Sequence, residues 1–204
     1  MTKRRLYTVA TVLFALLAVY EYMQGPLGML YRNGPNLSLM SDNSWPHLLS
    51  VLKVSLCPVA YTLLATAALR GYRGRTAALL WELGGGLMAV YLLWVASPLL
   101  TAQTEDPYYW TYVATAARSG LLAVLWVLYA LSARLVPRLR RRRLLLLCGF
   151  GAVYAVCAVV WAILLISAYG LSVALLPLLT DNLQSACVCF ALWSLSKATD
   201  EYTA

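Results

Sequence analysis

A single histidine, His47, serves the whole chain. That rules out a bis-histidine haem site within one chain and a zinc-protease motif, which needs two histidines on one helix. Acids are scarce as well: Asp and Glu together number 8 in 204 residues, and they form no repeated acidic motif of the kind that holds a metal-bound phosphate. There is no Gly-x-Ser-x-Gly elbow, no Lys-Ser/Thr after a glycine-rich loop and no CxxC pair. Serine-hydrolase, P-loop and dithiol chemistry therefore lack their parts. No metal site and no cofactor is expected, and an enzyme is the least supported class.

Charge of either sign is thin. Only 12% of residues are charged while 62% are hydrophobic, with a mean hydropathy of +0.71; a soluble domain is about a quarter charged. What is abundant instead is long apolar runs. A bilayer core of about 30 Å takes about 20 helical residues per crossing, and nothing in the chain alternates over the roughly ten-residue segments of a membrane β-barrel. The expected fold is all-α, a polytopic transmembrane helical bundle forming a single integral membrane domain over 1–204.

Six runs can be marked, at 6–24, 48–70, 76–100, 108–134, 144–170 and 172–197, with an outside loop at 25–47. The start of the sixth is open between Leu171 and Asp181, because Pro177 either kinks that helix or marks a turn before it. Five crossings with a re-entrant piece is the competing count.

Apart from Arg32, Lys53 and Arg118, every Lys and Arg falls into one of four groups: Lys3, Arg4 and Arg5; Arg70, Arg73 and Arg75; Arg134, Arg138 and Arg140 to Arg143; and Lys197. Placing all four groups on one side satisfies the positive-inside rule with six crossings and both termini cytoplasmic. The net charge of +8 then reads as orientation and contact with anionic headgroups, and nucleic acid is not expected as a partner. The lipid bilayer is, with the cell (inner) membrane as the location. MTKRRLYTVATVLFALLAVYEYMQG has the basic and apolar regions of a signal peptide without a small-x-small cleavage site, and is read as an uncleaved first helix. The five cysteines, Cys57, Cys148, Cys157, Cys187 and Cys189, all lie within apolar runs, so no disulfide-stapled exterior is expected.

Against this background the ionisable residues inside the runs stand out, since each costs roughly 2.5 to 3.5 kcal/mol to insert and marks a functional site by default. They are Glu21, Lys53, Glu82, Arg118 and Asp181. Counted from the basic end of its own run, each of Glu21, Lys53, Arg118 and Asp181 lies about 22 to 26 Å along the helix axis. Two acids and two bases at one level predict a compensated polar layer in the outer third. The alternative is four separate interfacial residues, the long ones snorkelling to water. Stripes sharing those faces favour the layer: Ser50, Lys53, Cys57 and Tyr61 on the second run, Thr111, Thr115, Arg118 and Ser119 on the fourth, and Asp181, Gln184 and Ser185 on the sixth.

Arg118, Lys53, Glu21, Asp181, Gln184 and Tyr61 are accordingly the candidate substrate-binding residues, with Tyr91 and Trp94 as apolar walls. The favoured function is transport or binding of a small anionic or zwitterionic solute. Two further readings stand beside it. One is a non-catalytic assembly, regulatory or immunity subunit that meets other membrane subunits through the small-residue face of Gly85 and Ala89. The other is an intramembrane lipid-modifying enzyme, which requires a groove open to lipid beside Arg118 and Asp181. In layout alone, six crossings with both ends inside, the chain is similar to the substrate-binding S components of energy-coupling factor transporters; its first run has Ala15 and Ala18 in place of their Ala-x-x-x-Ala coupling motif.

Overall fold

The computed structural model describes residues 2–28, 45–71, 75–105, 108–132 and 140–200. Six helices span it: α1 (Lys3–Gln24), α2 (Trp45–Leu69), α3 (Arg75–Ala96), α4 (Tyr109–Leu131), α5 (Arg140–Tyr169) and α6 (Leu171–Asp200). All six are long and apolar enough to cross a membrane, and no strand occurs among the described residues. The chain is an all-helical, multi-pass membrane bundle. Helix is the form such runs must take, because lipid offers no partner to a backbone amide or carbonyl and only a helix satisfies both within one segment.

Several ends differ from the sequence expectation for identifiable reasons. The second helix begins at Trp45 rather than near 48; Pro46 sits in its first turn, where the missing amide would have had no partner anyway. The third gives way at Ala96 to a 3₁₀ turn over Ser97–Leu100 containing Pro98, with the Ser97 hydroxyl donating to the Trp94 carbonyl at 2.7 Å. The fifth takes in the arginine run from Arg140, since arginine is a good helix former. The sixth starts at Leu171, and Pro177 lies inside it. Only one residue separates α5 from α6. Gly170 adopts φ +78° and its amide bonds the Ile166 carbonyl at 3.0 Å, a left-handed helix stop that glycine reaches without steric cost. Most of the joint at 25–47, with Tyr31 and Arg32, lies outside the described residues, as do Arg73, Arg134 and Arg138.

The helices form a closed ring in chain order. Each packs on its sequence neighbours, and α6 closes on α1. Neighbouring helices run antiparallel, so the basic groups at Lys3, Arg70, Arg75, Arg140 and Lys197 gather at one end, here the basic end, and the end of α1 and the start of α2 lie at the other, here the loop end.

Two devices bring helices close. In WELGGGL the three glycines divide between neighbours: a methyl at Gly84 would stand 2.9 Å from the Leu64 side chain on α2, one at Gly85 would stand 2.7 Å from the Ala130 methyl on α4, and one at Gly86 would meet nothing. Near the loop end, Pro58 gives no amide to the Val54 carbonyl, and that carbonyl lies against Gly25, 3.2 Å from where a Cβ would be.

The basic half is filled by rings. Tyr61 stacks with Phe14, Phe14 meets Trp81 edge-on, and Trp81 tilts on Tyr129 at 5.5 Å; Tyr129 and Trp126 both meet Phe150 edge-on. Five helices thus contribute to one aromatic floor, since edge-to-face contact is the favoured geometry of such pairs. The sixth joins through Tyr129, whose hydroxyl donates to the Leu192 carbonyl at 3.1 Å and lies 2.9 Å from the Ser196 hydroxyl.

Candidate functional site

Above the floor, toward the loop end, the ring encloses a cavity of about 480 Å³. Every helix contributes to it: Glu21 from α1, Cys57 and Tyr61 from α2, Met88 and Tyr91 from α3, Thr115, Arg118 and Trp126 from α4, Tyr154, Cys157 and Trp161 from α5, and Asp181, Gln184 and Ser185 from α6. The volume lies within the range of small-ligand sites, and the mixture of apolar walls with a few convergent polar groups is their usual composition.

Two polar pairs cross it. Arg118 Nη2 donates to Asp181 Oδ1 at 2.8 Å, with the side chains 21% and 28% exposed. The Gln184 amide donates to the Glu21 carboxylate, linking α6 to α1 at the point where the ring closes. Gln184 lies three residues beyond Asp181, so one face of α6 serves both pairs. Each pairing lowers the cost of carrying a charged or amide group away from water. Arg118 also lies over the Tyr154 ring, 5.7 Å from its centre, so the guanidinium is held by a carboxylate at one edge and an aromatic face beneath it. Its single hydrogen bond among the described residues uses one donor of a five-donor group that lines the cavity. The Ser185 hydroxyl turns back to the Asp181 carbonyl at 2.8 Å, and buried Cys57 lies next to the Glu21 carboxylate.

Of the six candidate binding residues, Arg118, Glu21, Asp181, Gln184 and Tyr61 line this one cavity. Lys53 does not. Its ammonium lies 5.9 Å from the centre of the Trp94 ring on α3, and neither residue lines the cavity. Lys53 stands a full turn nearer the loop end than Cys57, and its long stem reaches an aromatic face on α3 instead of the cavity. Trp94 is therefore a partner of Lys53 and not a wall of the site. Tyr91, three residues earlier on α3, is a wall.

Sequence reasoning passed over α5, which reads as an unbroken apolar run. Tyr154, Cys157 and Trp161 nevertheless fall at i, i+3 and i+7, the spacing of one helical face, and all three line the cavity. Met88 and Trp126 had no such signal, because large apolar residues occur all along their helices.

The Gly85 and Ala89 face, which only the assembly-subunit reading turns toward a partner, is occupied within the chain: Gly85 lies against Ala130, and both Ala89 and Ala130 are buried. Glu82 is in the basic half of α3 and does not line the cavity. A second cleft, of about 590 Å³, lies at the basic end between α1 and α2 among Lys3, Arg4, Thr8, Thr11 and Arg70. No group of three His, Cys, Asp or Glu able to hold a metal ion occurs among the described residues. Comparison with protein-family models, with curated proteins and with solved structures finds no match to this chain.

Proposed function

We propose that the protein is a solute-binding component of a membrane transport process, with its site in the cavity between the aromatic floor and the loop end. The observation that carries this reading is the convergence of Arg118, Asp181, Glu21 and Gln184, from three helices, into a space lined by all six. Ionisable groups in spanning helices face a bundle interior and mark a substrate path far more often than they serve packing. A purely structural use of one ion pair needs no cavity beside it. Arg118 offers donors to an anionic group, Glu21 and Asp181 offer acceptors to a cationic one, and the tyrosines and tryptophans supply apolar walls. Orientation follows the charge bias, with the basic end cytoplasmic and the cavity nearer the outer face, in the cell membrane.

The test begins from the protein as it is expressed. Wild type, Lys53→Ala, Arg118→Lys and Asp181→Asn are purified from their own membranes, denatured, and the released small molecules measured by mass spectrometry. The expected outcome is a species released by wild type and Lys53→Ala and depleted in the other two. Equal release from all four proteins would remove Arg118 and Asp181 from the site and with them this function.

A further inference from the structure

Among the described residues the cavity reaches the surface of the bundle between α4 and α5. Besides its inward residues it is bounded by Ala117 and Leu121 of α4 and Val156 and Val160 of α5, all of them exposed. Nearer the basic end the same two helices are packed together, Trp126 on Phe150 and Leu125 against Gly149. The polar cavity therefore continues into an apolar groove between α4 and α5 that reaches the lateral surface of the bundle. α5 is the least buried helix of the ring, with only 6% of its apolar window buried, so in a bilayer the mouth of this groove faces acyl chains.

The charges on the inside complement this opening. With Lys53 turned away, one guanidinium, Arg118, stands against two carboxyl groups, Glu21 and Asp181. The excess of acid favours a cationic group, and the Tyr91 ring among the lining residues suits an ammonium. The guanidinium of Arg118 favours an anionic group beside it. A cavity with acceptors, donors and rings at its head and an apolar exit sideways fits one class of molecule.

Resting on the solute-binding reading above, we infer that the ligand is a zwitterionic amphiphile with an amine in its head group, entering laterally between α4 and α5. Its ammonium meets Glu21 and Asp181, its anionic group meets Arg118, and its acyl chain lies in the groove bounded by Leu121 and Val156 and continues into the bilayer. Such a ligand never leaves a matching environment: its chain stays among apolar groups while its head moves from the interface to a polar cavity.

The experiment uses the full chain in phosphatidylglycerol nanodiscs and measures saturable binding of tritiated lysophosphatidylethanolamine. Two unlabelled competitors separate its parts: glycerophosphoethanolamine has the head group without the chain, and lysophosphatidylglycerol has the chain without the ammonium. Lysophosphatidylethanolamine is expected to bind at least about tenfold better than either competitor, and Ala117→Trp or Val160→Trp to weaken it by at least about tenfold by filling the groove. Both positions are exposed, so the variants should fold; Leu93→Trp, on the exposed face of α3, should bind as wild type does. Equal potency of glycerophosphoethanolamine, still dependent on Arg118, overturns lateral entry and leaves the solute-binding function standing. Equal potency of lysophosphatidylglycerol overturns the ammonium assignment. Absence of saturable binding, or unchanged binding in both groove variants, overturns the inference. Binding indifferent to both Arg118→Lys and Asp181→Asn removes the site itself.

Discussion

Arg118 and Asp181 meet at 2.8 Å and so tie α4 to α6, although α5 stands between those two helices in the ring. The tie passes inside α5, the helix with the fewest buried residues. The ion pair therefore performs two tasks, holding the polar end of the cavity and fixing the two flanks of its loosest helix.

Breaking that pair from one side leaves a charge without its partner. Arg118→Ala and Asp181→Asn should each lower stability by on the order of 3 kcal/mol, read by denaturant titration in micelles. The exchange Arg118→Asp with Asp181→Arg should recover more than half of the loss, because the two side chains are direct partners and close pairs couple strongly. A loss in the exchanged chain equal to the sum of the losses of Arg118→Asp and Asp181→Arg measured singly would show that the pair contributes no coupling.

The three consecutive glycines of α3 make separate predictions, each set by what a methyl would meet. Gly85→Ala drives a Cβ into the Ala130 methyl, a rigid neighbour, and overpacking of this kind costs about 1 to 3 kcal/mol; Ala130→Gly in the same chain should return most of it. Gly84→Ala should also destabilise, since its Cβ would stand 2.9 Å from the fully buried Leu64 side chain and 3.1 Å from the Ala60 carbonyl oxygen. Gly86→Ala meets nothing and should be neutral or stabilising by up to about 1 kcal/mol through helix propensity. Thermal unfolding of the three variants side by side decides it, and an equal effect at all three positions would contradict the division of the glycines between α2, α4 and open space.

An even number of crossings returns the chain to the side on which it began, and the basic groups mark that side. Green fluorescent protein joined to either end should fluoresce, and alkaline phosphatase joined to either end should be inactive, the pattern of cytoplasmic attachment. Opposite behaviour of the two ends would mean an odd number of crossings.

The helices and much of the site were legible because both follow from the cost of putting the wrong group in lipid. Long apolar runs announce crossings, and charges inside them announce places where something compensates. Counting along the helix axis placed Glu21, Arg118 and Asp181 at one level, and they do share a cavity. The same count placed Lys53 with them, yet axial position carries no information about which way a four-carbon stem turns, and Trp94 offered a face on α3. Pro177 was ambiguous for a different reason. A proline early in a helix removes one backbone bond, and sequence alone does not say whether the surrounding packing absorbs that loss; α6 runs through it. The groove between α4 and α5 had no sequence signal, because a lipid-facing valine and one bounding an opening are the same residue in the same environment.

The aromatic floor makes the cavity a blind well. Phe14, Trp81, Tyr129 and Phe150 lie between it and the basic end, joined ring to ring and all buried. A molecule lodged beside Arg118 has no vertical path past them in this conformation. Delivery to the far side requires a second arrangement in which those rings part, and concerted helix movements of that kind run on microseconds to milliseconds. A chain without that second arrangement would exchange a bound molecule only with the leaflet from which that molecule came.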